Sequence, residues 1–144
     1  MTNVRQDDLD QKAYAGGHAR VEDPQLTGAA LKFDLTGEVR ELKHEETWAR
    51  TGQNAKTLVK HPDFRIVLIA LRAGARIQEH QAGGRVSIQC LSGRLRLLLP
   101  DQTVELGPNS LLALDKSLAH EVEALEESAL LLSISWPQGV QARE

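Results

Sequence analysis

Five histidines and one cysteine are the side chains of this 144-residue chain best suited to metal binding, acid–base work or nucleophilic attack. Imidazole serves as acid or base near neutral pH and is the commonest metal ligand. The lone Cys90 excludes an intrachain disulfide framework and a Cys-rich zinc site. It reads as a small core residue, because buried cysteine commonly behaves as an apolar filler. His18 and His44 lie in polar surroundings and are expected on the surface. His61 precedes Pro62, and the proline sets an extended backbone at a turn. That leaves His80, in RIQEHQAGG, and His120, in SLAHEVEA, as the imidazoles within strand-like stretches. Lys60, Arg65 and Arg76 could line the mouth of a barrel and hold an anion, although a solvated strand edge is the simpler place for them. Glu121, Glu123, Glu126 and Glu127 read as a soluble outer surface. Trp48 and Trp136 read as packing anchors.

Composition narrows the function classes. Hydrophobic residues make up 41% of the chain and aromatic residues only 3%. Aliphatic side chains can therefore fill a core, but aromatic platforms for stacking nucleic-acid bases are not expected. Seventeen basic and twenty acidic residues give a net charge of −3, which is not the basic footprint of a nucleic-acid binder. The length suits one domain. The start, MTNVRQDDLD, lacks the charged-then-apolar pattern of a signal sequence. No apolar run approaches the roughly 18 residues that a membrane span needs. The expectation is a cytoplasmic protein without nucleic-acid or membrane partners.

Residues 1–30 show no period and are expected to form a mobile or loosely docked arm. Residues 31–54 are expected to hold a strand, Leu31–Leu35, followed by a short helix over TGEVRELKHEETWAR. Thr36 is the expected N-cap, and the sparse stripe Val39, Leu42, Trp48 predicts partial burial. Residues 55–137 are read as short strands: Lys56–Lys60, Arg65–Leu71, Arg76–Ala82, Arg85–Leu91, Arg94–Leu99, Gln102–Leu106, Ser110–Leu114, Ala119–Ala124 and Ala129–Trp136. Turn signals separate them, and such regular spacing without intervening helices predicts an all-β sandwich or barrel. Residues 138–144 form a tail.

Two stretches, GARIQEHQAGGRVSIQCLSG and NSLLALDKSLAHEVEA, together resemble the cupin superfamily of small RmlC-like jelly-roll domains. The first cupin motif is G-x5-H-x-H-x(3,4)-E-x6-G, and Gly74, His80 and Gly93 fall on its first Gly, first His and last Gly. The second is G-x5-P-x-G-x2-H-x3-N, and His120 falls on its His. Asn109, Asp115, Ser117 and Ala124 occupy its remaining named positions. The resemblance covers about residues 55 to 136 and implies a cupin-type double-stranded β-helix and a homodimer.

The family holds a divalent metal with two His and a Glu from the first motif and a His from the second. Here Ala82 stands at the second His and Val86 (or Ser87 with the longer spacing) at the Glu, so the metal motifs are degenerate. His80 and His120 are left as candidate metal ligands. Zinc, iron, nickel or manganese would need a third protein ligand besides them. Among near neighbours, Glu79 and Gln81 should face away from His80 by strand alternation, and Gln78 shares its face but is a poor ligand. The same alternation, if no bulge intervenes, lines a pocket with Gln78, His80, Ala82, Val86, Ile88 and Cys90, together with Leu118, His120, Val122 and Ala124. The outward set is Glu79, Arg85, Ser87, Gln89, Glu121 and Glu123. This predicts a mostly apolar barrel pocket containing two imidazoles, which favours binding a small molecule without a complete metal site. Two other readings compete. One is a metal-dependent cupin enzyme of dioxygenase or isomerase type, using His80, His120 and a further ligand. The other is a regulatory or structural module whose arm docks on another protein. A metal-free enzyme using the two imidazoles as acid and base lacks an obvious carboxylate to orient either ring.

Overall fold

The computed structural model describes residues 3–5, 24–80, 83–116 and 118–137, with the backbone alone for 3–5, 24, 25, 79 and 80. Most of the arm (including His18), Gln81, Ala82, Ser117 and the tail lie outside the described residues. The chain opens with β1 (Asn3–Arg5), α1 (Pro24–Thr27), α2 (Leu35–His44) and α3 (Glu46–Thr51). Strands β2 (Gln53–His61), β3 (Phe64–Leu71), β4 (Arg76–His80), β5 (Arg85–Ser92) and β6 (Leu95–Leu98) follow. The last four are β7 (Thr103–Leu106), β8 (Leu111–Leu114), β9 (His120–Ala124) and β10 (Ser128–Ser135). From β2 onward each strand lies where alternation and turn residues put it, give or take a few positions at the ends.

The strands form two five-stranded sheets, ordered β1-β4-β9-β6-β7 and β2-β3-β10-β5-β8. All neighbours pair antiparallel except β1 and β4, which are parallel. This is a jelly-roll arrangement with an aliphatic core between the sheets. Val67, Ile69 and Leu71 of β3 meet Val86, Ile88 and Cys90 of β5 and Leu130, Leu132 and Ile134 of β10. Ile77, Leu95, Leu97, Val122 and Ala124 close the core from the other sheet. Burial alternates along β5, β6 and β9, as expected for strands with one face inside. Strand β3 does not alternate, because α2 and α3 cover the outer face of its sheet. Leu42 and Trp48 from the helices bury Leu58, Leu68 and Ala70 there. A strand buried on both faces reads as one continuous apolar run, here FRIVLIAL.

The segment before the barrel departs from expectation. Leu31, Phe33 and Leu35 do alternate in burial with exposed Lys32 and Asp34, yet no strand forms there. Alternation gives a strand only when a neighbour completes the hydrogen-bond ladder, and residues 31–34 pair with none. The helix starts earlier than Thr36, at Leu35, with extended Asp34 at its N-cap (φ −89°, ψ 97°). It also breaks in two at Glu45. Fully buried Asn54 of β2 donates from Nδ2 to the Leu42 carbonyl (3.0 Å) and to Glu45 Oε1 (2.7 Å). In an unbroken helix the Leu42 carbonyl would accept from residue 46. Gly52, in the left-handed region at φ 76°, ends α3 and turns the chain into β2. Part of the expected arm is docked: β1 registers Asn3 with Arg76 and Arg5 with Gln78, and α1 seats buried Leu26 beside β2.

Candidate functional site

Both histidines singled out in the sequence come to one end of the barrel. The connections His61–Phe64, His80–Arg85, Leu98–Thr103 and Leu114–His120 all turn there, as does the end of β10. β4 ends and β9 begins in register, with His80 directly opposite His120. His120 follows the inward alternation of Val122 and Ala124 and is 6% exposed. Its Nδ1 lies 3.2 Å from the Leu118 carbonyl, which can only accept, so Nδ1 carries the proton in this contact.

The register of His80 depends on a β-bulge. Arg76 pairs with Glu123 and Ile77 with Val122, and then His80 pairs with His120. Gln78 and Glu79 together therefore oppose the single residue Glu121, which is a bulge by definition. The bulge overturns the uninterrupted alternation expected for this strand. Ile77 enters the core, so half-buried Gln78 belongs to the opposite face and leaves the pocket set. The side chains of Glu79 and His80, and the whole of Ala82, lie outside the described residues.

Val86, Ile88 and Cys90 of β5 face the interior, as does Val122 of β9. Only Val86 of the β5 trio lies at the histidine end. Cys90 sits toward the opposite end, where its Sγ is 3.4 Å from the Ser92 carbonyl. Burial pushes the Cys90 thiol above its ordinary pKa, which keeps it protonated and unreactive near neutral pH.

One residue of the site was placed wrongly by the sequence. Arg65 is not on a solvated edge; it is 1% exposed. It registers with Ile134, just as Val67 registers with Leu132 and Ile69 with Leu130, and all of those partners face inward. Arg65 thus points into the barrel at the histidine end. Its guanidinium carbon lies 5.5 Å from the Trp136 ring centroid, a cation–π contact. Trp136 is tied to this end by its N–H to the Asp63 carbonyl (3.0 Å). The backbone of Gly84 passes so close to Ser135 and Trp136 that a Cβ there would collide with the Ser135 carbonyl. Arg76 is likewise no rim residue: it starts β4 at the far end and pairs with Glu121 at 2.5 Å on the outer face.

Among the described side chains, which exclude those of Glu79 and His80, no group of three His, Cys, Asp or Glu converges on a point. Val86 is buried among Leu114 and Ile134, its register partners, and offers no donor atom at a position where a metal would need a carboxylate. Two imidazoles fall short of the three protein ligands that zinc or non-haem iron sites keep.

No protein-family model matches the chain, and no curated protein matches it. Solved structures do resemble it. A protein of unknown function from Streptococcus pyogenes, SPY1581, shares 23% identity, with 80% of this chain and 94% of that one covered at a TM-score of 0.65. A cupin superfamily protein from Desulfitobacterium hafniense shares 16% identity, covering 83% and 100% at a TM-score of 0.64. KdgF from Halomonas sp. shares 22% identity, covering 62% and 84% at a TM-score of 0.55. At these identities the likeness establishes the fold, and it is the fold that the two motif stretches implied.

Proposed function

We propose that this RmlC-like cupin domain binds a small organic molecule at the histidine end of its barrel, without a complete protein-built metal site. The observation that carries the reading is the His80–His120 register. It brings the His80 and His120 backbones together at one end of an interior that Val86, Val122, Ile134 and Arg65 line there. Binding sites of this kind are mostly apolar, with a few placed polar groups that orient the ligand. Native mass spectrometry of protein purified without added ligand tests it. The expected result is a co-purified mass that His120→Ala loses while keeping its circular dichroism spectrum.

A second reading, a metal-dependent enzyme of the dioxygenase or isomerase type, has one specific observation in its favour. The register brings together His80 and His120, two positions that carry metal ligands in the cupin motifs. Zinc, iron, nickel or manganese would need a third protein ligand there, from Glu79 or from another residue. Elemental analysis of the wild type, Glu79→Ala, His80→Ala and His120→Ala separates the readings. Stoichiometric metal in the wild type, lost in all three variants, would replace the first reading with the second. The resemblance also implies a homodimer, and light scattering at micromolar concentration should then give twice the chain mass.

A further inference from the structure

We infer that the outer face of the sheet β2-β3-β10-β5-β8, where the helices leave it bare, is the surface on which a second copy of this chain docks. This surface lies apart from the barrel interior and gives the homodimer implied by the resemblance a place to form. Among the described residues, the exposed large hydrophobic side chains are Phe64 (37%) and Leu111 (57%). Both point outward from this one sheet. Phe64 has the opposite parity to inward Val67 on β3, and Leu111 alternates with inward Leu112 and Leu114 on β8. The helices cover the β2–β3 half, over Leu58, Leu68 and Ala70. Beyond them the outward rows are Ile66, Ser133, Ser87 and Ala113, then Leu131, Gln89 and Leu111. None of these is charged. The outer face of the other sheet instead carries the ion pairs Arg76–Glu121, Arg96–Glu123 and Arg94–Glu105.

In a chain that is 26% charged, an uncharged outer face with protruding Leu and Phe marks an interaction surface. Strand β8 ends the described sheet, and Leu111–Leu114 carries none of the charges that usually blunt an edge. The shape selects a second copy. A helix is about 10–12 Å across and stacked sheets lie about 10 Å apart, so α2 rises to the height at which a second sheet would pack. The bare half and the α2 flank thus form a step, and a copy turned about a two-fold axis along β5 carries the matching step. Each β8 then lies over the other copy's β10 and against its α2 flank. Leu111 and Leu131 share a row, so each copy's Leu111 comes over the other's Leu131. Leu131 packs beside Leu35, Val39 and Leu91, and these three line a groove of about 290 Å³ that receives the protruding side chain. Charge does not oppose the contact, since Arg85 at the rim is compensated within its own chain by Asp115 at 3.3 Å. Three strands by the length of β5 give a plan of roughly 14 Å by 26 Å on each copy. With the two α2 flanks, each about 15 Å long and 10 Å high, the buried surface comes to roughly 1,200 Å² in total, the lower end of the range for a stable interface.

Sedimentation velocity on the full-length chain, from micromolar to hundreds of micromolar, tests this surface. The expected result is a species of twice 15.9 kDa that dissociates on dilution. Leu111→Glu and Ala113→Arg should each raise the dissociation constant at least tenfold, because each puts a charge into the contact. Circular dichroism reports whether each variant folds, and Ala113→Arg serves if Leu111→Glu does not. Thr103→Glu, at an exposed outward position on the β7 edge of the other sheet, should leave the dimer unchanged. A dimer that survives both Leu111→Glu and Ala113→Arg would overturn this face and leave the homodimer standing. Equal weakening by Thr103→Glu would do the same. A monomer throughout would overturn the face and the homodimer together, and leave the bare sheet to a different protein. Assembly that continues past twice the chain mass would overturn the two-fold arrangement.

Discussion

Gly93 shows how one motif residue is fixed by geometry and not by chemistry. Its φ of 83° lies in the left-handed region, and a Cβ there would collide with the Glu127 carbonyl and the Ser128 side chain. Ser128 is fully buried and occupied: its Oγ accepts from the Arg94 N–H at 3.0 Å and donates to the Glu126 carbonyl at 2.7 Å. Gly93→Ala should therefore cost on the order of 2 kcal/mol or more, read as a lower urea midpoint with an unchanged slope. Cys90 gives a second expectation. Burial raises its thiol pKa, so the folded state holds the proton more tightly than the unfolded chain. Its contribution is complete below the ordinary thiol value of about 8.5 and is lost as pH rises through the higher folded value. Stability should fall with rising pH in that alkaline window, and a Cys90→Ala variant should lack this share of the slope. An aromatic disulfide reagent near neutral pH should label Cys90 only as fast as the protein opens. At this scale the sequence made His120, Val86 and Cys90 legible, because each continues an inward alternation. For Arg65 the sequence left two places open, the barrel mouth and a solvated edge, and favoured the edge, since a charged residue in an inward slot looks the same in sequence as one at a solvated strand end.

The elements that were hardest to read are those governed by distant partners. Regular strands β2 to β10 follow from local alternation and turn residues, so their positions could be read without the structure. The break between α2 and α3 could not, because it answers to Asn54, which lies beyond the helices in sequence and belongs to a strand. Nor could the bulge in β4, which is defined by the register of β9. The three-residue β1 is too short to show a period, and the alternating Leu31–Leu35 stretch misleads because it lacks a strand neighbour. The Asn54 contacts yield a test at this scale. Asn54→Ala removes a buried donor from the Leu42 carbonyl and from Glu45, and a cost of about 1–3 kcal/mol is expected. If the break depends on Asn54, amide exchange should accelerate across Thr47–Gly52 in the variant more than across β5 or β10. Uniform acceleration would mean that Asn54 supports the fold without shaping the helices.

At the scale of the whole molecule, stability is traced to its apolar layers. Its core runs unbroken between the sheets and is aliphatic apart from Trp136 and Cys90, with α2 and α3 adding a second apolar layer. The ion pairs Arg96–Glu123 (3.5 Å) and Arg94–Glu105 (3.8 Å) lie on the exposed outer face, where such pairs are worth only about 0–1 kcal/mol each. Apolar burial is thus the main source of stability. A bound metal would reveal itself by linkage: at one hundred times its Kd, a ligand specific for the folded state adds about 2.7 kcal/mol. In a domain of this size that raises the melting temperature by roughly 5 °C or more. We expect chelator and added zinc, nickel or manganese each to leave the melting temperature within about 1 °C of the untreated protein, because neither the core nor the described mouth residues supply a three-ligand site. A shift of several degrees with one of these ions, abolished by His80→Ala and His120→Ala, would place a metal at the mouth. Such a shift would also require Glu79, or a residue outside those described, to turn toward the histidines and supply the missing ligand.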